Sequence, residues 1–344
     1  MLSDNHRECG QPNVNHWNVK LLRMLQYLII LLDDTSVSYC HYENTKTGRR
    51  LISIADLKAG IFFAMKENLM IQFVYPEYEL PEEYHAVIES IDHQRIMPFR
   101  KNYRVFETQQ FSNADVVVFD RWDKIPETLT GYAANTVYVV RTGKNDLFHG
   151  VEKLVALLEK MDRINVVLID VDTFTDEDFE AYRIVLSRLA DATTKQYSLG
   201  RFPQLNILTD RVLLDRMNNC NAGVENITMA PNGKFYICPA FYYENEQNTI
   251  GNPAEGFEIA NWTLYRLDHA PLCRKCDAYH CRRCVWLNRK TTLEVNTPSH
   301  EQCVVAHIER NASREWLKGV ANHFTGREIA EIQYLDPFDV IEKY

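Results

Sequence analysis

The sequence is poor in glycine and lacks an excess of basic residues, and both shortages exclude classes of function. The chain has 344 residues but only 13 glycines, where an average composition would give about 24. Glycine-rich loops that cradle phosphate groups are therefore not expected. The formal net charge of -9 argues against nucleic acid or an anionic membrane surface as a partner. Small molecules or other proteins are the expected partners.

Long hydrophobic runs are also lacking. The most apolar run, residues 27–32, has six residues, whereas a membrane-spanning helix needs about 20. We interpret this run as a buried strand and expect no membrane partner. The expected location is the cytoplasm, where reducing conditions favour metal-bound cysteines over disulfides.

Short aliphatic runs alternate with helical patterns after residue 23, which is typical of βα units and a parallel sheet. Strands are predicted at residues 27–32, 70–76, 114–120, 135–140, 164–170 and 205–210. Helices are predicted at residues 53–69, 81–91, 151–161, 176–190 and 312–324. Ser53 is the expected N-cap of the first helix. The sequence thus predicts an α/β fold.

Six aspartates fall at or just beyond predicted strand ends. The carboxyl ends of parallel strands are where α/β proteins bind ligands, but aspartate at such positions also caps the following helix. We favour capping over ligand binding. The six are Asp33, Asp34, Asp120, Asp170, Asp172 and Asp210.

The regular pattern stops near residue 215. Residues 216–308 contain seven of the nine cysteines, and few periodic runs accompany them. We therefore expect a loop-rich domain that is held together by metal. The predicted division is an N-terminal extension at 1–22, an α/β domain at 23–215, a cysteine-rich domain at 216–308, and a C-terminal helix and tail at 309–344.

The segment "CRKCDAYHCRRCVW" contains two C-x2-C pairs, a spacing that lets two thiolates from one turn reach the same metal or cluster. Four residues separate the pairs, whereas the two pairs of a zinc ribbon are usually about 15–20 residues apart. Seven thiolates exceed one four-coordinate site, so two sites are expected. A pair of zinc ions is the alternative to iron–sulfur clusters. The seven cysteines are Cys220, Cys238, Cys273, Cys276, Cys281, Cys284 and Cys303.

The order of these cysteines resembles the SPASM domain, the C-terminal auxiliary-cluster module of radical SAM peptide and protein maturases. Twelve residues separate Cys220 from Gly233, and four separate Gly233 from Cys238. "PNGKFYICPAF" and "IGN" resemble the hairpin and the following turn of that domain. The dense cluster usually reads C-x2-C-x5-C-x3-C, and here its last two gaps are each one residue shorter.

The resemblance implies two 4Fe-4S clusters and divides the seven cysteines between them. One ligand set is Cys273, Cys276, Cys281 and Cys303. The other is Cys220, Cys238 and Cys284. Some relatives supply a fourth ligand to the second cluster from a position that is Leu214 here, so an open iron or a non-cysteine ligand is expected. Basic residues interleave the ligands, either as compensation for cluster charge or as solvated surface: Arg274, Lys275, Arg282 and Arg283.

For the preceding domain the resemblance implies a degenerate partial (β/α)6 barrel of the radical SAM fold. The catalytic cluster of that fold needs C-x3-C-x2-C after the first strand, but Cys40 is followed by Asn44 and Thr47 at the other two positions. We interpret Cys40 as a buried or loop residue rather than a ligand. A Gly-Gly-Glu-Pro stretch is replaced by "FVYPEYELPEEY". Binding of S-adenosylmethionine is therefore not expected.

Three longer segments resemble the CXXX-repeat peptide maturases: "YLIILLDDTSVSYCHY", "FAMKENLMIQFVYPEY" and "CVWLNRKTTLEVNTPSHEQCVVAHIER". This resemblance implies a maturation protein for a ribosomally made, cysteine-rich precursor peptide. A separate radical SAM enzyme is the implied partner, and the chain would present the peptide, relay electrons or bind a substrate thiolate at an open iron. The alternatives are a zinc-stapled peptide-binding scaffold without a redox role and an enzyme that uses another cofactor. No catalytic residue is assigned, and enzymatic activity is left open.

Overall fold

The computed structural model describes residues 24–46, 48–100, 114–126, 133 and 135–324. The predicted extension at 1–22, Thr47 and the tail after residue 324 lie outside the described residues.

Eleven strands in the described residues form one sheet. They are β1 (Tyr27–Leu31), β2 (Met70–Val74), β3 (Gln94–Pro98), β4 (Val116–Phe119), β5 (Val137–Thr142), β6 (Arg163–Leu168), β7 (Gln204–Leu205), β8 (Asn226–Met229), β9 (Phe235–Tyr236), β10 (Gly251–Asn252) and β11 (Gly256–Phe257). Their order across the sheet is β11-β10-β9-β8-β1-β2-β3-β4-β5-β6-β7.

Eight α-helices surround this sheet within the described part of the chain. They are α1 (Ile54–Lys66), α2 (Glu82–Ile88), α3 (Lys144–Leu158), α4 (Asp176–Ser198), α5 (Asp210–Leu213), α6 (Pro239–Glu244), α7 (Val285–Thr292) and α8 (His300–Val320). None of the helices in the described ranges combines the length and the apolar character that crossing a membrane requires.

Strands β1 to β7 are parallel and lie side by side in chain order, which confirms the α/β prediction. Five of the six predicted strands are present, but the prediction at 205–210 was wrong beyond Leu205. There the Thr209 hydroxyl bonds the backbone of Leu205, and such local bonds compete with a strand ladder. Strand β3 was not predicted, since "QRIMP" mixes polar residues with a proline.

Alternate residues of the central strands face opposite sides of the sheet. Val137 and Val139 line a cavity on one side, together with Ile29 and Val116. Val117 and Val140 pack on the face that carries α3, α4 and α8. This two-residue period follows from strand geometry, and it explains why these strands read as continuous apolar runs.

Local signals explain two helix starts. The Ser53 hydroxyl accepts a hydrogen bond from the Asp56 amide at 3.0 Å, which confirms the predicted cap of α1. Helix α3 begins at Lys144, earlier than predicted. The predicted helix started only after Gly150, which interrupts the helical pattern and has a non-helical φ of -118°. A Cβ atom at Gly150 would lie 2.8 Å from the Trp122 ring, so the close packing of the two requires glycine.

The cysteine-rich segment continues the same sheet. Strand β8 pairs with β1 in parallel, with Tyr27 opposite Asn226, and β9 to β11 extend this edge in antiparallel fashion. Helix α8 packs against α4, and the limit predicted between residues 308 and 309 falls inside α8. The four-part division of the chain stays a prediction.

Candidate metal centres

All eight cysteines of the described ranges are free thiols. Cys238 precedes α6, Cys284 is the N-cap of α7, and Cys303 lies in the first turn of α8. The Cys220 amide donates to the Arg282 carbonyl at 3.0 Å, so the loop at Cys220 is joined to the dense cysteine segment.

The structure brings four thiols together that we call the Cys273 group: Cys273, Cys276, Cys281 and Cys303. Burial, and then the charges of Cys273 and Cys276, raises the pKa of the Cys303 thiol to about 12. Burial also raises the pKa of Cys281 well above its ordinary value, and the other three thiols raise it further. Helix α8, which carries Cys303, contacts the dense cysteine segment, since His307 Nε2 lies 3.6 Å from the Cys276 sulfur.

Polar groups surround the sulfur of Cys276. The Ala278 amide donates to this sulfur at 3.4 Å, and His307 Nε2 lies 3.6 Å from it. Hydrogen bonds to thiolate sulfur are among the features that set the reduction potential of an iron–sulfur cluster. The surroundings of Cys276 therefore suit a ligand better than an inert core cysteine.

The second set, which we call the Cys220 group, consists of Cys220, Cys238 and Cys284. Burial raises the pKa of the Cys284 thiol well above its ordinary value, and the charges of Cys220 and Cys238 raise it further. All three line one cavity of about 600 Å³, which we call the thiol cavity. Cys40 lines it as well. The sequence analysis did not associate Cys40 with this group.

Arg141 on β5 holds the loop that carries Cys40. This buried side chain donates to the Cys40 carbonyl at 2.8 Å and to the Tyr42 carbonyl at 2.6 Å, and it forms an ion pair with Glu43 at 3.0 Å. The Asn44 side chain donates to two carbonyls of the same loop at 2.8 Å and 3.0 Å. Both residues fix the loop after β1.

A network that we call the Glu246 clamp joins this loop to the segment after Cys238. Lys46 and Arg50 reach one carboxylate oxygen of Glu246 at 2.5 Å and 2.6 Å. Tyr242 accepts from Arg50 at 2.8 Å and donates to Asp34. Nearby, the rings of Tyr42 and Tyr243 stack at 5.4 Å. The clamp thus brings the β1 loop and α6 together beside the thiol cavity.

Buried arginines beside the Cys273 group provide a test of whether a metal group fits there. Arg283 is almost fully buried, and its Nε and Nη1 atoms have no hydrogen-bond partner within the described residues. Its charge lowers the pKa of Cys273, against the larger effect of burial, which raises it to about 11. A buried, unpaired cation is costly, so an anionic cluster at these thiols fits its surroundings.

Thiolates are the ligands that zinc and iron–sulfur clusters prefer. In the described ranges, no three His, Cys, Asp or Glu side chains converge closely enough to hold a single metal ion.

The aspartates at the strand ends make structural contacts. Asp170 accepts hydrogen bonds from the Lys144 amide at 3.0 Å, so it bonds the first turn of α3, which precedes its strand, and not the helix that follows, which Thr175 caps. The other five contact neighbouring groups: Asp33 with Thr35, Asp34 with Arg50, Asp120 with Lys124, Asp172 with Lys290, and Asp210 with Arg163.

A second cavity of about 740 Å³, the rim cavity, lies where β1, β4 and β5 end. Five acidic and three basic side chains line it: Glu43, Glu77, Asp120, Asp123, Asp146, Lys46, Arg121 and Arg141. Its acidic excess favours a ligand that carries positive charge.

Known structures share this arrangement of strands and helices. Native anSMEcpe with bound AdoMet and Cp18Cys peptide matches with a TM-score of 0.58 and 14% identity, over 87% of this chain and 99% of that one. His6-tagged anSMEcpe with bound AdoMet matches with a TM-score of 0.56 and 12% identity, over 88% and 96%. The fold is radical-SAM-like.

This likeness concerns the fold. A third structure, native anSMEcpe with bound AdoMet and Kp18Cys peptide, gives a TM-score of 0.55 at 14% identity, over 86% of this chain and 99% of the other. AdoMet and peptides are thus ligands of anSMEcpe. No family model and no curated protein matches the sequence.

Proposed function

We propose that this chain is an iron–sulfur maturation protein for a ribosomally made, cysteine-rich peptide and acts with a separate radical SAM enzyme. The observation that carries the proposal is the presence of two separate groups of buried and partly buried thiols, the Cys273 group and the Cys220 group. Burial raises the pKa of Cys281 and of Cys284 well above its ordinary value, which favours the neutral thiol. A bound metal reverses this preference because it deprotonates its thiol ligands.

Each group would hold one 4Fe-4S cluster, and such clusters transfer electrons when bound. The thiols of a cluster need not converge on one ion, since each binds a separate iron. Arg283 would offset the charge of the cluster at the Cys273 group, and the Ala278 amide would donate to its Cys276 ligand. In this chain the role of the thiol groups is to hold electron carriers inside the fold.

The rim cavity would receive the peptide. Its position at the carboxyl ends of parallel strands is the usual ligand site of α/β folds, and the peptide-bound anSMEcpe structures support a peptide ligand for this fold. We propose that the partner enzyme, rather than this chain, uses S-adenosylmethionine. Asn44 supports this proposal. It stands where the catalytic motif of the radical SAM fold has a cysteine ligand, and its side-chain amide donates to two backbone carbonyls of the loop instead.

Metal analysis after anaerobic purification tests the proposal. We expect roughly eight irons and eight acid-labile sulfides per chain, as two 4Fe-4S clusters require. Cys303→Ser and Cys238→Ser are matched variants, one in each group, and each is expected to lose about half of the iron. Stoichiometric zinc without sulfide would instead identify a zinc-stapled scaffold and would exclude electron relay.

A further inference from the structure

We propose that Cys40 is the fourth thiolate ligand of the cluster that the Cys220 group holds. This inference rests on the proposed function and assigns a ligand to a position that the sequence left open, since Leu214 stands where a cysteine was sought. The side chains that would share the cluster are Cys40, Cys220, Cys238 and Cys284.

The first support is the shared cavity. Cys40 from the β1 loop, Cys220 from the loop before β8, Cys238 from the start of α6 and Cys284 from the start of α7 all line the thiol cavity of about 600 Å³. Four thiols from four separate elements thus border one cavity, and Cys281 of the Cys273 group borders it as well. Thiolates are the ligands that an iron–sulfur cluster prefers.

The path of the chain supports the same set. Strand β1, which precedes the Cys40 loop, pairs in parallel with β8, which follows Cys220. The Cys220 amide donates to the Arg282 carbonyl at 3.0 Å, close to Cys284. These contacts bring together the loops that carry Cys40, Cys220 and Cys284.

Hydrogen bonds and ion pairs hold the loop around Cys40 in place. Arg141 binds the carbonyl of Cys40 itself, at 2.8 Å. The Glu246 clamp joins the far end of the loop to the helix that follows Cys238. A ligand must be held by its surroundings to close a metal site, and these contacts hold Cys40 on the same side as Cys238.

Other side chains of the cavity compete for this position. His41 adjoins Cys40 in the chain and lines the same cavity. His280 lines it as well; its Nε2 contacts Glu309 at 3.0 Å, and its Nδ1 has no hydrogen-bond partner within the described residues. Cys281 also lines the cavity but belongs to the Cys273 group. His41 and His280 are therefore the competing fourth ligands, and His41 gives the experiment a matched control.

Four thiolates would close the coordination of this cluster. Without an open iron the cluster could exchange electrons but could not bind a substrate thiolate, so the open iron expected from Leu214 would not exist. A four-cysteine cluster thus excludes the binding of a substrate thiolate at this site and leaves electron relay as its role.

The test compares anaerobically reconstituted wild type, Cys40→Ala, Cys40→Ser and His41→Ala. Iron and sulfide content, electron paramagnetic resonance and Mössbauer spectra are measured, and circular dichroism checks folding. We expect Cys40→Ala to lose between one and four irons relative to wild type, with a 3Fe-4S signal if a single iron is lost. His41→Ala should keep the wild-type content and spectrum.

A second measurement tests directly for an open iron. Added 2-mercaptoethanol or cyanide binds an open iron, so the spectrum of the wild type should not change, whereas that of Cys40→Ser should. A wild-type spectrum that shifts with these ligands, or a Cys40→Ala protein with wild-type iron content and spectrum, would overturn the assignment. Iron loss in His41→Ala alone would assign the position to His41. A wild type that lacks iron and sulfide would refute the proposed function itself.

Discussion

Arg283 is a buried cation, and protein contacts satisfy only part of its hydrogen-bonding capacity. Its Nη2 atom donates to the Tyr265 carbonyl at 2.5 Å, but Nε and Nη1 have no partner within the described residues. Its backbone also has a positive φ of 42°. Leaving buried polar groups unpaired costs about 1–3 kcal/mol each. An anionic group near Cys273 would remove much of this cost.

We therefore predict opposite effects of Arg283→Met in the metal-free and the metal-loaded protein. Without metal, the free energy of unfolding should stay within about 1 kcal/mol of wild type or rise, because an unpaired buried charge is replaced by an apolar side chain of similar volume. With metal, iron should be lost several-fold faster to a chelator. Denaturant unfolding and the rate of iron release measure the two effects.

The control is Arg274→Met, which changes an exposed arginine of the same segment and should alter neither quantity. If Arg283→Met releases iron at the wild-type rate, Arg283 does not compensate cluster charge. Four basic residues lie among the cysteines in the sequence, but the sequence pattern does not show that Arg283 is the buried one. Which of them is buried depends on the turn that the chain makes at Arg283.

Cys40 illustrates the same limit for the candidate site. The spacing of the seven downstream cysteines was readable because each C-x2-C pair is local. The proximity of Cys40 to Cys220 arises from the pairing of β8 with β1. No local sequence pattern indicates this pairing. Two features of the sequence could have indicated Cys40 as a ligand. Leu214 stands where a fourth cysteine was sought, and Cys40 had no other assigned role.

Ion pairs join the loop between β1 and α1 to the segment after α6. In Glu246, burial alone would raise the carboxyl pKa, but hydrogen bonds from Lys46 and Arg50 outweigh it and lower the pKa to about 2. The carboxylate is one-third exposed, so solvent screens part of this interaction. The clamp should therefore contribute stability at neutral pH that acid removes.

We predict that Glu246→Gln lowers the free energy of unfolding of the metal-free protein by about 1 kcal/mol at pH 7. Because the folded-state pKa is depressed, this difference is fully present above the unfolded pKa of about 4.5 and is lost as the pH falls toward 2. Denaturant unfolding of both proteins between pH 7 and pH 3 measures it. The exposed change Glu294→Gln should show no such dependence, and a pH-independent difference for Glu246→Gln would contradict the ion-pair explanation.

Elements with a strong local pattern were predictable, and elements defined by tertiary contacts were not. The apolar runs of β1, β2 and β4 to β6 and the Ser53 cap of α1 were identified from sequence. Strand β3 was missed because its "QRIMP" sequence gains a place in the sheet only through β2 and β4. The early start of α3 was missed because Gly150 accommodates Trp122, a contact that the sequence does not encode locally.

At the scale of the whole molecule, one sheet runs through both of the predicted domains. The four-residue strand β8 lies between β1 and β9 and is bonded on both sides. Its residues Ile227 and Met229 belong to the same apolar core as β1. The segment at 273–284 has one 3-10 turn, Cys273–Lys275, and loops instead of a sheet, so the proposed metal groups would hold it together.

This contrast predicts an uneven response to metal removal, which hydrogen exchange can measure. In the metal-free protein, amides of residues 273–284 should exchange at least about 10-fold faster than in the loaded protein, because local opening there no longer breaks metal–ligand bonds. Amides of β8 should keep their protection, since β1 and β9 still pair with it. Equal loss of protection in β8 and in 273–284 would mean that residues 216–308 unfold as one metal-dependent domain. Protection that persists in β8 would mean that the sheet, rather than the predicted limit at residue 215, sets the cooperative unit.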